Sequence, residues 1–173
     1  HARIEDLPAA LAGVRPTTFP AVPRVFEKAR EGIHSRVARA PAIRRILFRW
    51  SAAIGHQMAR CLIEEKQPSV SLRIRHAVAD RLSLSRVRAG MGGRIRLAIC
   101  GGAPLPSDVM EFFLAMGVPV LEGYGMTETG VVALNQTGRY RPGTAGPCLD
   151  GVEVKISDDG ELLVKSPGVT RGY

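Results

Sequence analysis

The sequence predicts an α/β protein with a mostly parallel sheet, flanking helices and a C-terminal β-hairpin region. Three observations predict it. Helical amphipathic periodicity fills residues 1–90; beyond Gly90-Met91-Gly92-Gly93 a strand, a helix and a second strand follow within about thirty residues; and alternating segments flank Asp158-Asp159-Gly160 near the end. A strand, a helix and a strand in that order imply parallel pairing with a right-handed crossover, because a tight hairpin cannot join parallel strands.

The elements follow in order. Ile4 to Val14 read as a short helix, and Pro16-Thr17-Thr18-Phe19-Pro20 as an extended stretch, since proline disfavours helical backbone before it. Pro23 suits the first position of a helix, which runs to about Ala40 with Val22, Val25, Phe26, Ala29, Ile33 and Val37 on one side. Pro41 opens a second helix, whose apolar stripe is Ile43, Ile46, Leu47, Trp50, Ile54, Met58, Cys61 and Leu62, with Arg45, Arg49, His56 and Arg60 opposite. A third helix spans Val70 to Leu84 and carries Arg73, Arg75 and Arg81.

Ile95, Leu97 and Ile99 then alternate with Arg96 and Ala98 as a strand. Ser107 to Met116 read as a helix with Asp108 and Glu111 in its first turn, where the helix dipole favours them, and Val118 to Leu121 as the second strand. Val152 to Ile156 and Leu162 to Val164 form the hairpin. The chain thus divides into a basic, mainly helical tract (1–90), a βαβ tract with ligand loops (91–134) and a β-rich tract (135–173).

Composition narrows the class. The 173 residues suffice for one globular domain, with no apolar run of membrane-spanning length and no secretory signal at the start. Cys61, Cys100 and Cys148 are odd in number and widely spaced, which argues against disulfides and zinc and fits a reducing cytoplasm. His34, His56 and His76 lack carboxylates at ligand spacing and read as surface or packing residues. Both ends, at His1 and Tyr173, read as cuts.

The net charge of +8 is concentrated: Arg24 to Arg96 hold 17 Lys and Arg against 5 Asp and Glu. Clustered arginines on helices are also the footprint of nucleic-acid binding, but no recognition motif accompanies them, so no nucleic acid is expected. A solvated face is the plain reading. The functional alternative is peripheral contact with anionic lipid headgroups.

Two glycine-rich loops are expected after the two strands, Gly101-Gly102-Ala103-Pro104 and Gly123-Tyr124-Gly125-Met126-Thr127-Glu128-Thr129-Gly130. The carboxyl ends of parallel strands are where ligands bind, and glycine lets a ligand approach the backbone. An aromatic ring, two hydroxyls and a carboxylate stand beside the glycines, suited to a base, a phosphate and a magnesium ion. A tight turn would use the same glycines without binding anything.

The longer string Leu121-Glu122-Gly123-Tyr124-Gly125-Met126-Thr127-Glu128-Thr129 resembles the Gly-Tyr-Gly-x-Thr-Glu motif of the adenylate-forming superfamily. Val14-Arg15-Pro16-Thr17 and Val22-Pro23-Arg24-Val25-Phe26-Glu27-Lys28 resemble a signature of its long-chain fatty-acyl-CoA synthetases. Arg141-Pro142-Gly143-Thr144-Ala145-Gly146-Pro147, Gly160-Glu161-Leu162-Leu163-Val164 and Gly172-Tyr173 are similar to a third segment of that family.

The resemblance implies a piece of the large N-terminal domain of an acyl-CoA synthetase, with fatty acid, ATP and CoA as substrates and Mg2+ as cofactor. It places Gly101, Gly102, Ala103 and Pro104 beside the adenine and the acyl carboxylate. It also implies that Tyr124 stacks on the adenine, Gly125 and Met126 line the nucleotide, with Gly123 among the residues that bind it, Thr127 bonds the phosphate, and Glu128 holds the metal. Thr127 and Glu128 would then be the catalytic pair. Trp50 reads as a core residue, or as a residue bordering an acyl tunnel.

The family's lysine-bearing phosphate loop, its ribose-binding aspartate and its C-terminal domain have no counterpart in these residues, so the chain alone is expected to be inactive. Transfer to CoA and transfer to a carrier protein both remain open. A non-catalytic nucleotide-binding or nucleic-acid-binding module is the reading from a different class.

Overall fold

The structure is a computed structural model that describes residues 7–172. Helix α1 occupies Leu7–Val14, and positions 4–6 of the expected first helix lie outside the described residues. The extended proline stretch becomes strand β1, Thr18–Ala21.

Helix α2, Pro23–Ala38, starts on its proline and buries Phe26 and Ile33, the face its periodicity indicated. Phe26 is 1% exposed and meets Phe19 and Phe113 edge-on, with ring centroids 6.2 and 5.6 Å apart. Such ring pairs add about 0.5–1.5 kcal/mol each beyond area burial, which fixes this helix against β1 through Phe19 and against the helix that carries Phe113.

Helix α3, Ala42–Ile63, corrects the expected stripe. Its buried side is Phe48, Ser51, Ile54, Gly55 and Ala59, whereas Ile43, Ile46 and Leu62 are 71%, 62% and 56% exposed. Trp50, expected in the core, is exposed. Side-chain size explains the difference. Ser51, Gly55 and Ala59 form an i, i+4, i+8 ridge low enough for a second helix to approach, and a Cβ on Gly55 would collide with the Ala115 carbonyl. Close approach of two backbones selected the face, and apolar side chains elsewhere on α3 stayed outside.

Helix α4, Val70–Ala79, is capped by Ser69, whose Oγ accepts the Leu72 N–H at 3.2 Å. It continues through a π-helical turn, Asp80–Leu84, into α5, Ser85–Ala89, five residues beyond the expected end. No Gly or Pro interrupts the sequence before Gly90, so nothing stops the helix earlier. Arg88 fastens the turn by bonding both Asp80 oxygens, at 2.6 and 2.9 Å, and the Met116 carbonyl at 3.1 Å.

Strand β2, Leu97–Cys100, leads through α6, Ser107–Ala115, to β3, Val120–Met126, and then to β4, Gly130–Leu134. The sheet order is β1-β2-β3-β4, the first two pairings parallel and the last antiparallel. The sheet is therefore mostly parallel, and β1 and the antiparallel β4 extend the expected two-stranded unit. Helix α6 buries Val109, Met110, Phe112, Phe113, Leu114 and Ala115, so it is enclosed nearly all round, as its composition requires. Arg30 of α2 reaches Asp108 at 2.6 Å and holds that carboxyl below its ordinary range. Strands β5, Glu153–Ile156, and β6, Leu162–Lys165, form the expected antiparallel hairpin as a separate sheet.

Candidate functional site

The candidate residues gather at the carboxyl ends of β2 and β3. Strand β2 ends at Cys100, and the chain turns away through Gly101 and Gly102, where a φ of 84° at Gly102 favours glycine. The Gly101 amide donates to the Ala21 carbonyl at 3.4 Å, so the loop hangs from the end of β1. A Cβ on Gly101 would lie 3.5 Å from the Gly123 carbonyl oxygen. The two glycine segments thus lie side by side.

One expectation needs correction. Gly123, Tyr124, Gly125 and Met126 are not loop residues; they are the last four residues of β3 and pair with Leu134, Ala133, Val131 and Gly130 of β4. The register slips between Tyr124 and Gly125. Such a bulge re-aims side chains beside it. A Cβ on Gly125 would run into the Gly130 carbonyl and stand 2.9 Å from the Val131 Cα, so only glycine fits where the hairpin closes.

Only Thr127, Glu128 and Thr129 form the turn between the strands. The Thr129 amide donates to the Met126 carbonyl at 3.2 Å, and the Glu128 carbonyl accepts the Thr170 amide at 2.7 Å. The turn is therefore fixed at both its base and its back. Gly102, Ala103, Pro104, Tyr124, Gly125, Met126 and Thr127 are exposed, while Gly101, Gly123 and Glu128 are half-buried. An exposed ring, a hydroxyl and a carboxylate on one rigid hairpin can receive a base, a phosphate and a cation.

No group of three metal-ligating side chains occurs among the described residues. Magnesium does not require one, because it keeps several waters and takes substrate phosphates beside one or two carboxylates. The Glu128 carboxylate and the neighbouring Thr127 hydroxyl are hard oxygen donors of the kind that ion prefers.

Three polar residues near the site escaped the sequence reading: Glu122, Asn135 and Tyr140, all buried. The Glu122 signal was legible, since a carboxylate between Leu121 and Gly123 on a buried strand must find donors. Burial pushes the Cys100 thiol up to about 11, and the charge of Glu122 pushes the same way. The Tyr140 hydroxyl is also pushed up, first by burial and then by Glu122 and Glu111.

A separate apolar cavity of about 420 Å³ lies among the helices, walled by Leu11, Phe26, Ile33, Phe48, Val87 and Met91. Lys28, Arg36, Arg44 and Arg86 also line it. Its volume falls within the range of small-molecule pockets.

The chain is thus an α/β protein that sets a glycine hairpin bearing an aromatic ring beside a second glycine loop at strand carboxyl ends, where such sheets bind ligands. Residues 2–173 match the AMP-binding enzyme family, and the chain belongs to it. It is 38% identical over 171 residues to the long-chain-fatty-acid–CoA ligase FadD15 of Mycobacterium bovis, covering 98% of this chain and 28% of that one. Identity to the long-chain-fatty-acid–CoA ligase ACSBG2 of Xenopus laevis is 32% over 175 residues, covering 97% of this chain and 23% of that one. Among solved structures, ATP-bound MatB of Rhodopseudomonas palustris superposes with a TM-score of 0.51 at 25% identity, covering 99% of this chain and 26% of that one. The chain thus spans less than a third of the length of the relatives it matches.

Proposed function

We propose that this chain is the adenine-binding part of a ligase that activates a long-chain fatty acid with ATP and passes the acyl group to CoA. The observation that carries the reading is the β3–β4 hairpin, with Tyr124 near the end of β3 and Thr127 and Glu128 on the turn that follows, beside the Gly101–Pro104 loop. The relatives' names supply the substrate class, and the apolar cavity suits the tail of such a substrate. No separate observation favours a non-catalytic module.

The chemistry has two steps. A carboxylate oxygen of the fatty acid attacks the α-phosphorus of ATP, forming acyl-AMP as the bond to pyrophosphate breaks. The CoA thiol then attacks the acyl carbon, giving acyl-CoA and AMP. A carrier-protein thiol could take the place of CoA in the second step by the same chemistry. Two anions meet in the first step, so their repulsion must be offset.

Each assigned residue answers part of that need. Tyr124 stacks on the adenine and Gly123 allows the base to lie against the strand. Gly125 and Met126 border the nucleotide, Thr127 donates to a phosphate oxygen, and Gly101 to Pro104 close the other side. Glu128 would hold Mg2+, which when bound supplies positive charge to the reacting phosphates. Full activity is proposed for the longer protein and not for residues 1–173 alone.

The same reading includes peripheral contact with anionic membrane. Arg44, Arg45 and Arg49 are exposed in α3 alongside Ile43, Ile46 and Trp50, which is the composition of an interfacial helix face. Among the described residues, no helix is long and apolar enough to cross a membrane.

Glu128→Gln in the full-length enzyme tests the central assignment. ATP–pyrophosphate exchange should fall by about a hundredfold, the scale on which a lost transition-state charge partner acts, while fatty-acid binding stays close to wild type. Near-wild-type exchange at ordinary magnesium concentrations would remove Glu128 from the chemistry.

A further inference from the structure

Glu122 is 8% exposed in β3, and its carboxylate binds two backbone amides from two different segments. The Leu105 N–H donates to Oε1 at 3.0 Å, and the Gly143 N–H donates to Oε2 at 3.3 Å. Leu105 ends the stretch that carries Gly101 to Pro104. Gly143 belongs to the 139–147 segment, which follows β4.

That second segment has fastenings of its own. Asn135, 1% exposed, donates through Nδ2 to the Arg141 and Thr144 carbonyls, both at 2.9 Å, and its Oδ1 accepts the Arg141 amide at 3.1 Å. The Tyr140 hydroxyl donates to the Val120 carbonyl at 2.7 Å. The 139–147 segment therefore stays seated without Glu122. The loop after β2 is held differently, by the Ala21 carbonyl at Gly101 and by the Glu122 carboxylate at Leu105.

An apolar side chain of similar volume at this position would leave the Leu105 and Gly143 amides without their acceptor. The carboxylate does what an apolar residue cannot: it fixes a loop amide at a set distance from the strand bearing Tyr124, two positions further on. We propose that Glu122 is a positioning residue, setting the gap between the Gly101–Pro104 loop and the end of β3. On the reading above, that gap receives the nucleotide, and the proposal rests on that reading for its kinetic consequence. Glu122 acts through the backbone it holds.

The experiment uses the full-length enzyme with Glu122→Gln, Glu122→Asp and, as a stability control, Arg88→Gln. Glutamine keeps the volume but loses the charge and one acceptor oxygen, so the bond to the Leu105 amide is weakened or lost whichever amide the remaining oxygen faces. The Michaelis constant for ATP should rise about tenfold, with that for the fatty acid within twofold, because one charge-assisted bond to a buried amide is lost. Aspartate keeps both acceptors on a shorter stem and should recover part of the ATP affinity. Arg88→Gln removes the Asp80 pair at the opposite end of β3, so it should lower the melting temperature and leave both Michaelis constants unchanged.

Amide exchange supplies a readout independent of catalysis: the Leu105 N–H should exchange at least about tenfold faster in Glu122→Gln without nucleotide. An ATP constant within twofold of wild type, equal effects on both substrates, or unchanged Leu105 exchange would each overturn the proposal. If the wild-type enzyme does not adenylate, the functional reading fails, and the exchange measurement still decides whether Glu122 holds the loop.

Discussion

Replacing Gly125 with alanine adds one methyl group at the point where β3 and β4 are closest. The new Cβ would lie 2.9 Å from the Val131 Cα and closer still to the Gly130 carbonyl. Ordinary contacts of this kind begin near 3.4 Å, so the strands must part by about an ångström to relieve the Gly130 contact, the tighter of the two. Overpacking costs about 1–3 kcal/mol where neighbours cannot move. Both obstructing atoms are backbone, so no side chain can swing aside; relief requires the strands themselves to part, for which the exposed Gly125, Met126 and Thr127 leave room. The global loss should therefore sit in the middle of that range, about 2 kcal/mol, or a fall of roughly 4–8 °C in melting temperature for a domain of this size.

The functional loss should be larger. Displacing the turn moves Thr127 and Glu128 relative to the Gly101–Pro104 loop, and misplacement by about 1 Å can cost a hundredfold in rate. The assay pairs a thermal melt with ATP–pyrophosphate exchange on the full-length Gly125→Ala enzyme. A large loss of exchange from an enzyme that is destabilised but still folds is the expected outcome. Wild-type exchange would show that the hairpin tip tolerates displacement and that positioning is not its role; collapse of the fold would show that the hairpin cannot relax as argued.

Two further outcomes follow from single residues. Tyr124→Ala should raise the Michaelis constant for ATP by about tenfold or more, since stacking on a base contributes roughly 1–3 kcal/mol, and an effect confined to the fatty acid would move Tyr124 to the acyl site. At pH 8, a thiol reagent should modify exposed Cys148 first and half-buried Cys61 more slowly, leaving Cys100 untouched until the chain unfolds, because burial and the charge of Glu122 hold its thiol protonated up to about pH 11. Peptide mapping after timed alkylation reads the order, and early labelling of Cys100 would mean that β2 opens readily.

The parts of the fold that sequence revealed were those with one dominant periodicity. Phe26 and Ile33 marked the buried face of α2, where the apolar spacing matched the burial; at β2 the alternation of Ile95, Leu97 and Ile99 marked the strand but not its deeper side, since Ala98 and Cys100 are buried and Leu97 and Ile99 half-buried. Helix α3 misled for a physical reason: its packing face is defined by small Ser51, Gly55 and Ala59, while larger Ile43, Ile46 and Trp50 remain exposed. Strand β4 was missed because Val131-Val132-Ala133-Leu134 has no polar alternation and the turn before it, Thr127-Glu128-Thr129, lacks the Asn-Gly or Gly-Gly pattern of tight hairpins. The same gap made Gly123 to Met126 look like a loop. The groups of the candidate site stand within one motif, but the scaffold that holds them was not legible, since the bonds that Glu122 accepts from Leu105 and Gly143 join residues 17 and 21 positions apart.

The arginines outside the site lead to the remaining prediction. Arg44, Arg45, Arg49 and Arg60 are exposed on α3, and Arg73, Arg75 and Arg81 are exposed on or just after α4. Acidic neighbours are few there: Arg24 to Arg96 contain 5 Asp and Glu against 17 Lys and Arg, so most of this charge is uncompensated. Each basic side chain near an anionic bilayer contributes about 1 kcal/mol, and the attraction decays within a Debye length of about 8 Å at physiological salt. Replacing Arg45, Arg49 and Arg60 together by Gln should therefore weaken binding of the full-length enzyme to phosphatidylserine-containing liposomes by up to about a hundredfold. Sedimentation across an ionic-strength series measures it, and wild-type affinity should fall as salt rises. The three side chains are solvent-exposed, so the melting temperature should stay within about 1 °C of wild type. Trp50→Ala separates the apolar part of the contact from the electrostatic part, because it should weaken binding without changing the slope against salt. Equal wild-type binding to neutral and anionic liposomes, or a triple variant that binds as wild type does, would assign these arginines to the solvated surface alone.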